Sequence, residues 1–198
     1  MIRAISFQVA LKFLTILFIL PLLWSCSSGS NDNQTDLNPF DPSIPLDPAL
    51  PIDPDFPNYT VILLEPGADL ENRILSALIT AEQNTVVQLP AGTYDFVGEL
   101  SSSVDNIVLR GTGMDAESGT VLRFDGQTTG AQSLLATGNN FVVQDLAIEN
   151  SPGDAIKVIG TNGVTIRRVR IEWTNGPDEN NGAYGLYPVQ TRNVLIED

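Results

Sequence analysis

The 198 residues contain no histidine, and this absence excludes several kinds of chemistry at once. Ser-His-Asp and Cys-His nucleophilic systems, imidazole general acids and the usual zinc sites all require that side chain. A Walker-type loop is also absent, and the glycines of residues 111–119 lead into no helical pattern, which argues against phosphate binding. Chemistry within this sequence must therefore come from carboxylates, arginines, lysine and tyrosines.

Basic residues are scarce as well, with 10 Lys and Arg against 24 Asp and Glu, a net charge of −14. This balance argues against nucleic acid as a partner and against electrostatic attraction to anionic lipid headgroups. The negative net charge is compatible with binding of a divalent cation or of a basic protein. Acidity that simply keeps an exposed protein soluble explains the balance equally well.

Cysteine occurs once, at Cys26, so no disulfide can form within the chain and stability must come from packing. Residues 13–24, directly before it, are apolar apart from one threonine, and Arg3 and Lys12 are the only charges upstream. A short positive region followed by an apolar stretch predicts a secretory signal peptide over residues 1–25. A spanning helix needs about 20 apolar residues, more than this run provides.

The signal ends in Leu23-Trp24-Ser25-Cys26, which resembles the lipobox of bacterial lipoproteins, although that family prefers a smaller residue than Trp24. The resemblance implies cleavage before Cys26 and acylation of its thiol and new amino group, rather than a leftover thiol. A residue other than Asp after the cysteine, here Ser27, usually directs Gram-negative lipoproteins to the outer membrane. We therefore expect an exported protein whose partner is the membrane, reached through a lipid anchor on the periplasmic or cell-surface side.

Residues 26–57 are predicted to form a spacer without a packed core. Proline recurs at every third position from Pro39 to Pro57, within a hexamer repeat that begins DPSIPL. Three residues per turn is the period of polyproline II, so this stretch should be an extended, semi-rigid rod about 60 Å long. A spacer that holds a domain off the membrane is favoured over a ligand for a proline-binding module.

The folded domain is predicted over residues 58–198. It begins with a strand over residues 60–64, followed by a helix that Asp69 caps and that runs to about Ala81. Further strands are predicted at 86–89 and after the turn at 89–94, and beyond them no second helix is indicated. The apolar face of the helix comprises Leu70, Ile74, Leu75 and Leu78.

Residues 139–150 and 161–172 repeat one pattern of apolar side chains at a spacing of 23. The matched pairs are Phe141 with Val164, Val143 with Ile166, Leu146 with Val169, and Ile148 with Ile171. The preceding segments, 130–138 and 154–160, also match, and residues 105–111 and 185–198 show the same pattern. Such a repeat is typical of a solenoid. The predicted fold class is therefore all-β, a right-handed parallel β-helix with an N-terminal capping helix, rather than an antiparallel sandwich.

Asparagine precedes a strand in four of these units, at Asn106, Asn140, Asn162 and Asn193. Asparagine tolerates the left-handed backbone conformation, so we expect these residues at tight corners between strands.

Two resemblances accompany this pattern. Residues 62–81, 86–94 and 108–113 resemble the opening coils of many parallel β-helix proteins of the pectate-lyase-like superfold, including polysaccharide lyases and epimerases. Residues 162–198 resemble exported β-helix repeat lipoproteins whose biochemical role is unassigned. The match is specific for the fold and not for an activity. Because the sequence ends at Asp198 inside a predicted strand, we expect further coils beyond it.

The first candidate site is the insertion at residues 173–185, WTNGPDENNGAYG, about seven residues longer than the corresponding turn after Ile148. Insertions on one edge of a solenoid commonly form its binding face. Asp178 and Glu179 are candidate ligands for Ca²⁺, the only cofactor that the sequence suggests, although a solvated polar loop is the simpler interpretation. Trp173 and Tyr184, together with Arg192, are candidates for glycan binding.

The second candidate site is an outward group of basic side chains, comprising Lys157, Arg167, Arg168, Arg170 and Arg192. The lyases that this fold resembles use an Arg or Lys base, which makes Lys157, Arg168 and Arg170 candidate catalytic residues. Ion pairs with Glu149, Glu172 and Glu197 between adjacent coils are the simpler interpretation.

Two functions follow from these observations. The first is a non-catalytic scaffold of the cell envelope that binds a polysaccharide or an envelope protein. The alternative is a polysaccharide lyase or epimerase that acts on acidic glycans. The sequence favours the scaffold, because it contains no catalytic motif of the lyases.

Overall fold

The computed structural model describes residues 55–198. The predicted signal peptide, Cys26 and all but the last three residues of the proline-rich spacer lie outside the described residues. No helix in the described part of the chain has the length and apolar character needed to cross a bilayer.

Residues 55–198 form one helix and twelve strands. The helix is α1 (Leu70–Thr80). The strands are β1 (Thr60–Leu63), β2 (Thr85–Gln88), β3 (Gly92–Asp95), β4 (Leu100–Ser102), β5 (Ile107–Arg110), β6 (Thr120–Arg123), β7 (Gln132–Ala136), β8 (Phe141–Glu149), β9 (Asp154–Ile159), β10 (Asn162–Glu172), β11 (Leu186–Val189) and β12 (Arg192–Glu197).

The strands stack into three parallel faces, and every pairing between them is parallel. Face one contains β1, β2, β5, the first half of β8, the first half of β10, and β12. Face two contains β3, β6 and the second halves of β8 and β10, and face three contains β4, β7, β9 and β11. This is the predicted parallel β-helix, with four complete three-faced coils in the described part of the chain.

The predicted 23-residue register is confirmed. Phe141 lies opposite Val164 and Ile148 opposite Ile171, with the two intermediate pairs also in register. Their side chains, like those of the other inward positions, are mostly buried and form one continuous apolar core that also includes the stacked rings of Phe96 and Phe124. Burial of these successive inward residues stabilises the stack of coils.

The asparagine corners are confirmed in three coils, where Asn106, Asn140 and Asn193 have φ values of 59°, 53° and 53°. The prediction for Asn162 is wrong, because the register places Gly163 (φ 84°) across from Asn140. This left-handed backbone favours glycine, and a Cβ atom at position 163 would lie 2.2 Å from Asn140 Oδ1. Asn162 still accepts a hydrogen bond, from Asn193 Nδ2 at 2.7 Å.

Helix α1 follows β1, and Leu70, Ile74 and Leu78 on its apolar face are buried in the core. Leu75, predicted on the same face, is only half-buried, and Ala77 is buried too. The predicted capping by Asp69 is wrong: its backbone is left-handed (φ 66°), and its side chain makes no capping hydrogen bond. The carboxylate accepts a hydrogen bond from the Asn72 side chain instead, which removes it from the helix N–H groups.

Candidate functional site

The outer surface of face three carries a pair of stacked aromatic rings. Lys157 on β9 and Tyr187 on β11 lie opposite each other in the register, and the lysine Nζ is 5.0 Å from the centroid of the Tyr187 ring. Tyr184, just before β11, stacks on Tyr187 with ring centroids 4.6 Å apart and planes 18° apart. Asp154 Oδ2 lies 3.3 Å from Lys157 Nζ. We call these four residues the face-three platform.

The platform combines an apolar surface with polar groups at its edge. The Tyr184 side chain is 51% exposed, so about half of it remains open to a ligand. Aromatic faces pack against flat apolar surfaces, while the phenol hydroxyls can donate and accept hydrogen bonds. The ammonium of Lys157 donates and the carboxylate of Asp154 accepts. This arrangement suits binding of a ring-shaped polar molecule.

The loop between β10 and β11 positions Tyr184, because several bonds hold it to the turn of the preceding coil. The Trp173 indole Nε1 donates to the carbonyl of Ser151 at 2.8 Å, and the Gly182 N–H donates to the same carbonyl at 2.9 Å. The Thr174 N–H donates to Asn150 Oδ1 at 2.7 Å. Trp173 is thus engaged in holding the loop, and its stacking on a sugar ring stays a prediction.

A polar cleft of about 220 Å³ lies beside the same loop. It is lined by Asp125, Asn150, Ser151, Pro152, Asn175, Asp178, Asn180 and Asn181. Both carboxylate oxygens of Asp125 accept from Asn150 Nδ2 at 3.0 Å, and Asn175 Nδ2 lies 3.3 Å from one of them. The cleft therefore presents carboxylate and amide groups from three successive coils.

Asp178 in this cleft accepts a hydrogen bond from the backbone N–H of Asn180 at 2.8 Å. That bond, with a second from the Asn180 side chain, lowers the pKa of Asp178 below its ordinary value. Among residues 55–198, no three acidic, histidine or cysteine side chains converge as metal ligands would. The candidate Ca²⁺ ligands Asp178 and Glu179 are therefore not joined by a third acidic ligand, and a calcium site at this loop stays a prediction.

The prediction that the basic side chains form one cluster is wrong. Lys157 lies on face three, Arg167 on face one and Arg170 on face two. Arg168 is at the corner between faces one and two, and Arg192 begins β12. The reason is the coil geometry, because the corner at Arg168 separates Arg167 from Arg170 and a further corner separates Lys157 from β10.

The arginines form the expected ion pairs, most of them between coils and one, Arg170 with Glu172, within β10. Arg170 Nη2 contacts Glu149 at 2.7 Å, and Arg170 also binds Glu172 and the carbonyl of Met114. Arg167 contacts Glu197 at 2.5 Å. Each of these guanidinium groups already has an anionic partner within the protein.

Arg168, the third of these arginines, donates from Nη2 to Asp145 at 2.8 Å. This pairing raises the pKa of Arg168 above its ordinary value, so the guanidinium remains protonated and is poorly suited to accept a proton. A role for Arg168 or Arg170 as a catalytic base stays a prediction that this geometry does not favour.

A second cleft, of about 440 Å³, lies between the loop at residues 114–116 and face two. Arg170 and Glu172 line it, and they pair with each other. Asp115 also lines it, and its carboxylate accepts hydrogen bonds from the N–H groups of Glu117 and Ser118.

Two members of the platform, Asp154 and Tyr187, were not among the sequence candidates. The signal for Tyr187 was present, because aligning residues 185–189 with residues 154–160 places it over Lys157. Asp154 likewise lies opposite Gln132 of the preceding coil.

No family model matches the chain, and no solved structure matches it. Among curated proteins, Pectinesterase 2.1 of Solanum lycopersicum is 31% identical over 111 residues, covering 52% of this chain and 20% of that protein. The chain thus spans about a fifth of that relative's length. Together with the stacked parallel strands, this similarity fits a pectate-lyase-like parallel β-helix.

Proposed function

We propose that this protein is a glycan-binding β-helix protein of the cell envelope. The observation that carries the proposal is the stacked pair of Tyr184 and Tyr187 on the outer surface of face three, with Lys157 and Asp154 beside it. The similarity to a pectinesterase supports a carbohydrate as the ligand.

The chemistry of a sugar ring matches this surface. A pyranose has an apolar face of C–H groups that can pack on an aromatic ring, and hydroxyls around its edge that donate and accept hydrogen bonds. Ligand sites generally combine an apolar surface with a few placed polar groups. The parallel stacking of coils fixes the spacing of these groups, so little ordering of the strands is required on binding.

The sequence supports attachment to the outer membrane through acylated Cys26. Two or more acyl chains give lasting attachment, whereas a single chain would be marginal. The proline-rich spacer would then hold the β-helix about 60 Å from the membrane surface, within reach of an envelope polysaccharide. Metabolic labelling with a palmitate analogue tests this: wild type should incorporate the label, and Cys26→Ala should not.

Glycan binding is tested with the full-length chain on an array of plant, algal and bacterial polysaccharides. Tyr187→Ala removes the ring that contacts both Tyr184 and Lys157, so affinity should fall by about tenfold, equivalent to about 1.4 kcal/mol. Tyr59→Ala is the control, because Tyr59 precedes β1 and contacts Phe56 away from face three. Equal binding by Tyr187→Ala and wild type would contradict the proposal.

A second candidate function is catalysis on a glycan, which the juxtaposition of Asp154 and Lys157 favours together with the pectinesterase similarity. The lyase or epimerase alternative belongs to this candidate. Full-length protein is incubated with alginate, pectate, esterified pectin and glycosaminoglycans. Ultraviolet absorbance detects unsaturated products, and a pH-stat detects ester hydrolysis. Turnover that is lost in Asp154→Asn would establish catalysis at the platform.

A further inference from the structure

Positive charge is almost absent from face three. Within residues 55–198, the four strands of this face carry one basic residue, Lys157. Its ammonium lies 3.3 Å from Asp154 Oδ2 and over the ring of Tyr187. The one cation at the platform is therefore already compensated within the protein.

The polar cleft beside the platform is acidic and rich in amides. Asp125 and Asp178 line it together with four asparagines, and no lysine or arginine contributes to its wall. The Asp178 carboxyl is ionised near neutral pH, and its hydrogen bonds with Asn180 lower its pKa further below the ordinary value. The cleft and the platform are continuous along the chain, because Asn181 and Tyr184 belong to one loop and Pro152 is two residues from Asp154.

The arginines of the described ion pairs lie on the other two faces, and Arg192 begins β12 on face one. The described pairs are Arg123 with Asp95, Arg167 with Glu197, Arg168 with Asp145, and Arg170 with Glu149 and Glu172. A uronic acid residue bound at the platform would thus meet the carboxylate of Asp154, with Asp125 and Asp178 in the neighbouring cleft, while none of these paired guanidinium groups lies on face three. Like charges at close range disfavour binding, and a desolvated carboxylate without a partner is costly.

We infer, building on the proposed glycan-binding function, that the face-three platform and its adjoining cleft select an uncharged sugar over a uronic acid. Tyr184 and Tyr187 receive the apolar face of the ring. The carboxylates and amides of the cleft receive hydroxyl groups, because a carboxylate accepts hydrogen bonds from them and an amide both donates and accepts. The negative charge of the carboxylates at the same surface disfavours the binding of acidic glycans.

The test compares two polymers that share a backbone and differ in charge, polygalacturonate and its fully methyl-esterified form, with hydroxyethyl cellulose and carboxymethyl cellulose as a second pair. Calorimetry with the full-length protein at low ionic strength should show at least tenfold tighter binding of the uncharged member of a pair. The difference should shrink as salt is added, because salt screens exposed charges. Tyr187→Ala should weaken binding of the uncharged member about tenfold.

Asp154→Asn sharpens the test, because it removes one repelling carboxylate and leaves Lys157 without its anion. This variant should narrow the discrimination against the acidic polymer, whereas Asp115→Asn, on the loop beside face two, should leave it unchanged. Equal or tighter binding of the acidic member, still dependent on Tyr187, would overturn the inference and leave the proposed function in place. Binding of neither pair, nor of galactan, xylan or glucomannan, would contradict the proposed function and the inference together.

Discussion

The outer surfaces of faces two and three differ, although both enclose the same core. On face two, Asp95, Arg123, Glu149 and Glu172 follow one another in register, and Arg170 bridges the last two. On face three, the corresponding column runs through Leu135, Lys157 and Tyr187. The column on face two consists of charged side chains that form ion pairs, whereas the column on face three exposes an aromatic side chain.

This difference shows that different interactions constrain the inward and the outward positions of a coil. An inward residue must be apolar and of suitable size, because it packs against the coils above and below. An outward residue needs only to avoid conflict with its neighbours, either by pairing with them or by remaining accessible. Outward columns are therefore the part of this solenoid in which function can vary without a change of fold.

The largest effects should come from breaking the interior that the two faces share. Ile148 lies under face two and Ile156 under face three, and both are fully buried. Ile148→Ala and Ile156→Ala should each lower the free energy of unfolding by about 2–5 kcal/mol, since each removes buried methylene groups and leaves a cavity. Urea denaturation followed by circular dichroism measures this. A loss confined to one of the two variants would show that the faces do not share one core.

The interior was predictable from the sequence because its signal is periodic. Val143 and Ile166 recur 23 residues apart, and that spacing alone determines which strands lie in contact. The same periodicity does not locate the corners, because the residue with the left-handed backbone is Gly163 and not the predicted Asn162. Corner conformation depends on the contact between coils as well as on residue preference.

The candidate site was less predictable, because it depends on which outward side chains meet across coils. Lys157 and Arg168 are close in sequence but lie on different faces, while Lys157 and Tyr187 are 30 residues apart and in contact. An insertion before β11 lengthens that coil, so no fixed spacing relates the two. Residue composition alone cannot show that Lys157 is paired with Asp154.

The second prediction concerns the charged column of face two. Arg170→Ala removes both ion pairs and leaves Glu149, whose side chain is only 11% exposed, without its guanidinium. Unfolding free energy should fall by about 1–3 kcal/mol, because a mostly buried charge loses its partner. Arg167→Ala is the matched control: its partner Glu197 is more exposed, so the loss should stay below about 1 kcal/mol.

Glycan binding should be unaffected by Arg170→Ala, since its contacts are with face two and the loop at Met114. If Arg170→Ala instead weakens binding as much as Tyr187→Ala does, the proposed separation between a structural face and a binding face is wrong. Calorimetry with the tightest-binding polysaccharide makes this comparison directly.

The third prediction concerns the attachment of the loop that carries Tyr184. Trp173→Phe keeps an aromatic ring but removes the N–H that donates to Ser151. The loss of one hydrogen bond should cost about 1 kcal/mol of stability. Hydrogen exchange should be faster at residues 174–183 and unchanged on face two. Faster exchange throughout the chain would indicate that Trp173 supports the core rather than the loop.

The smallest effect should be a local response to acid in the two outer loops. Asp115, in the loop beside face two, accepts from the N–H groups of Glu117 and Ser118, and Asp178 accepts from that of Asn180. These bonds lower the pKa of both carboxyls below the ordinary value of 3.8. Their stabilising contribution is therefore complete above about pH 3.8 and is lost as the pH falls through the folded-state pKa.

Carboxyl-carbon chemical shifts, followed as the pH is lowered, should show that Asp115 and Asp178 both titrate below pH 3.8. Asp178→Asn should remove the response of residues 178–181 to acid and leave the response of residues 115–118 unchanged. The reason is that an amide at position 178 does not titrate, while the bonds of Asp115 belong to a separate loop on another face. A midpoint at or above 3.8 for Asp178 would mean that its bond to Asn180 does not persist in solution. The loop that positions Tyr184 would then lack one of the contacts that orders it, and the binding face would differ from the charged face in rigidity as well as in composition.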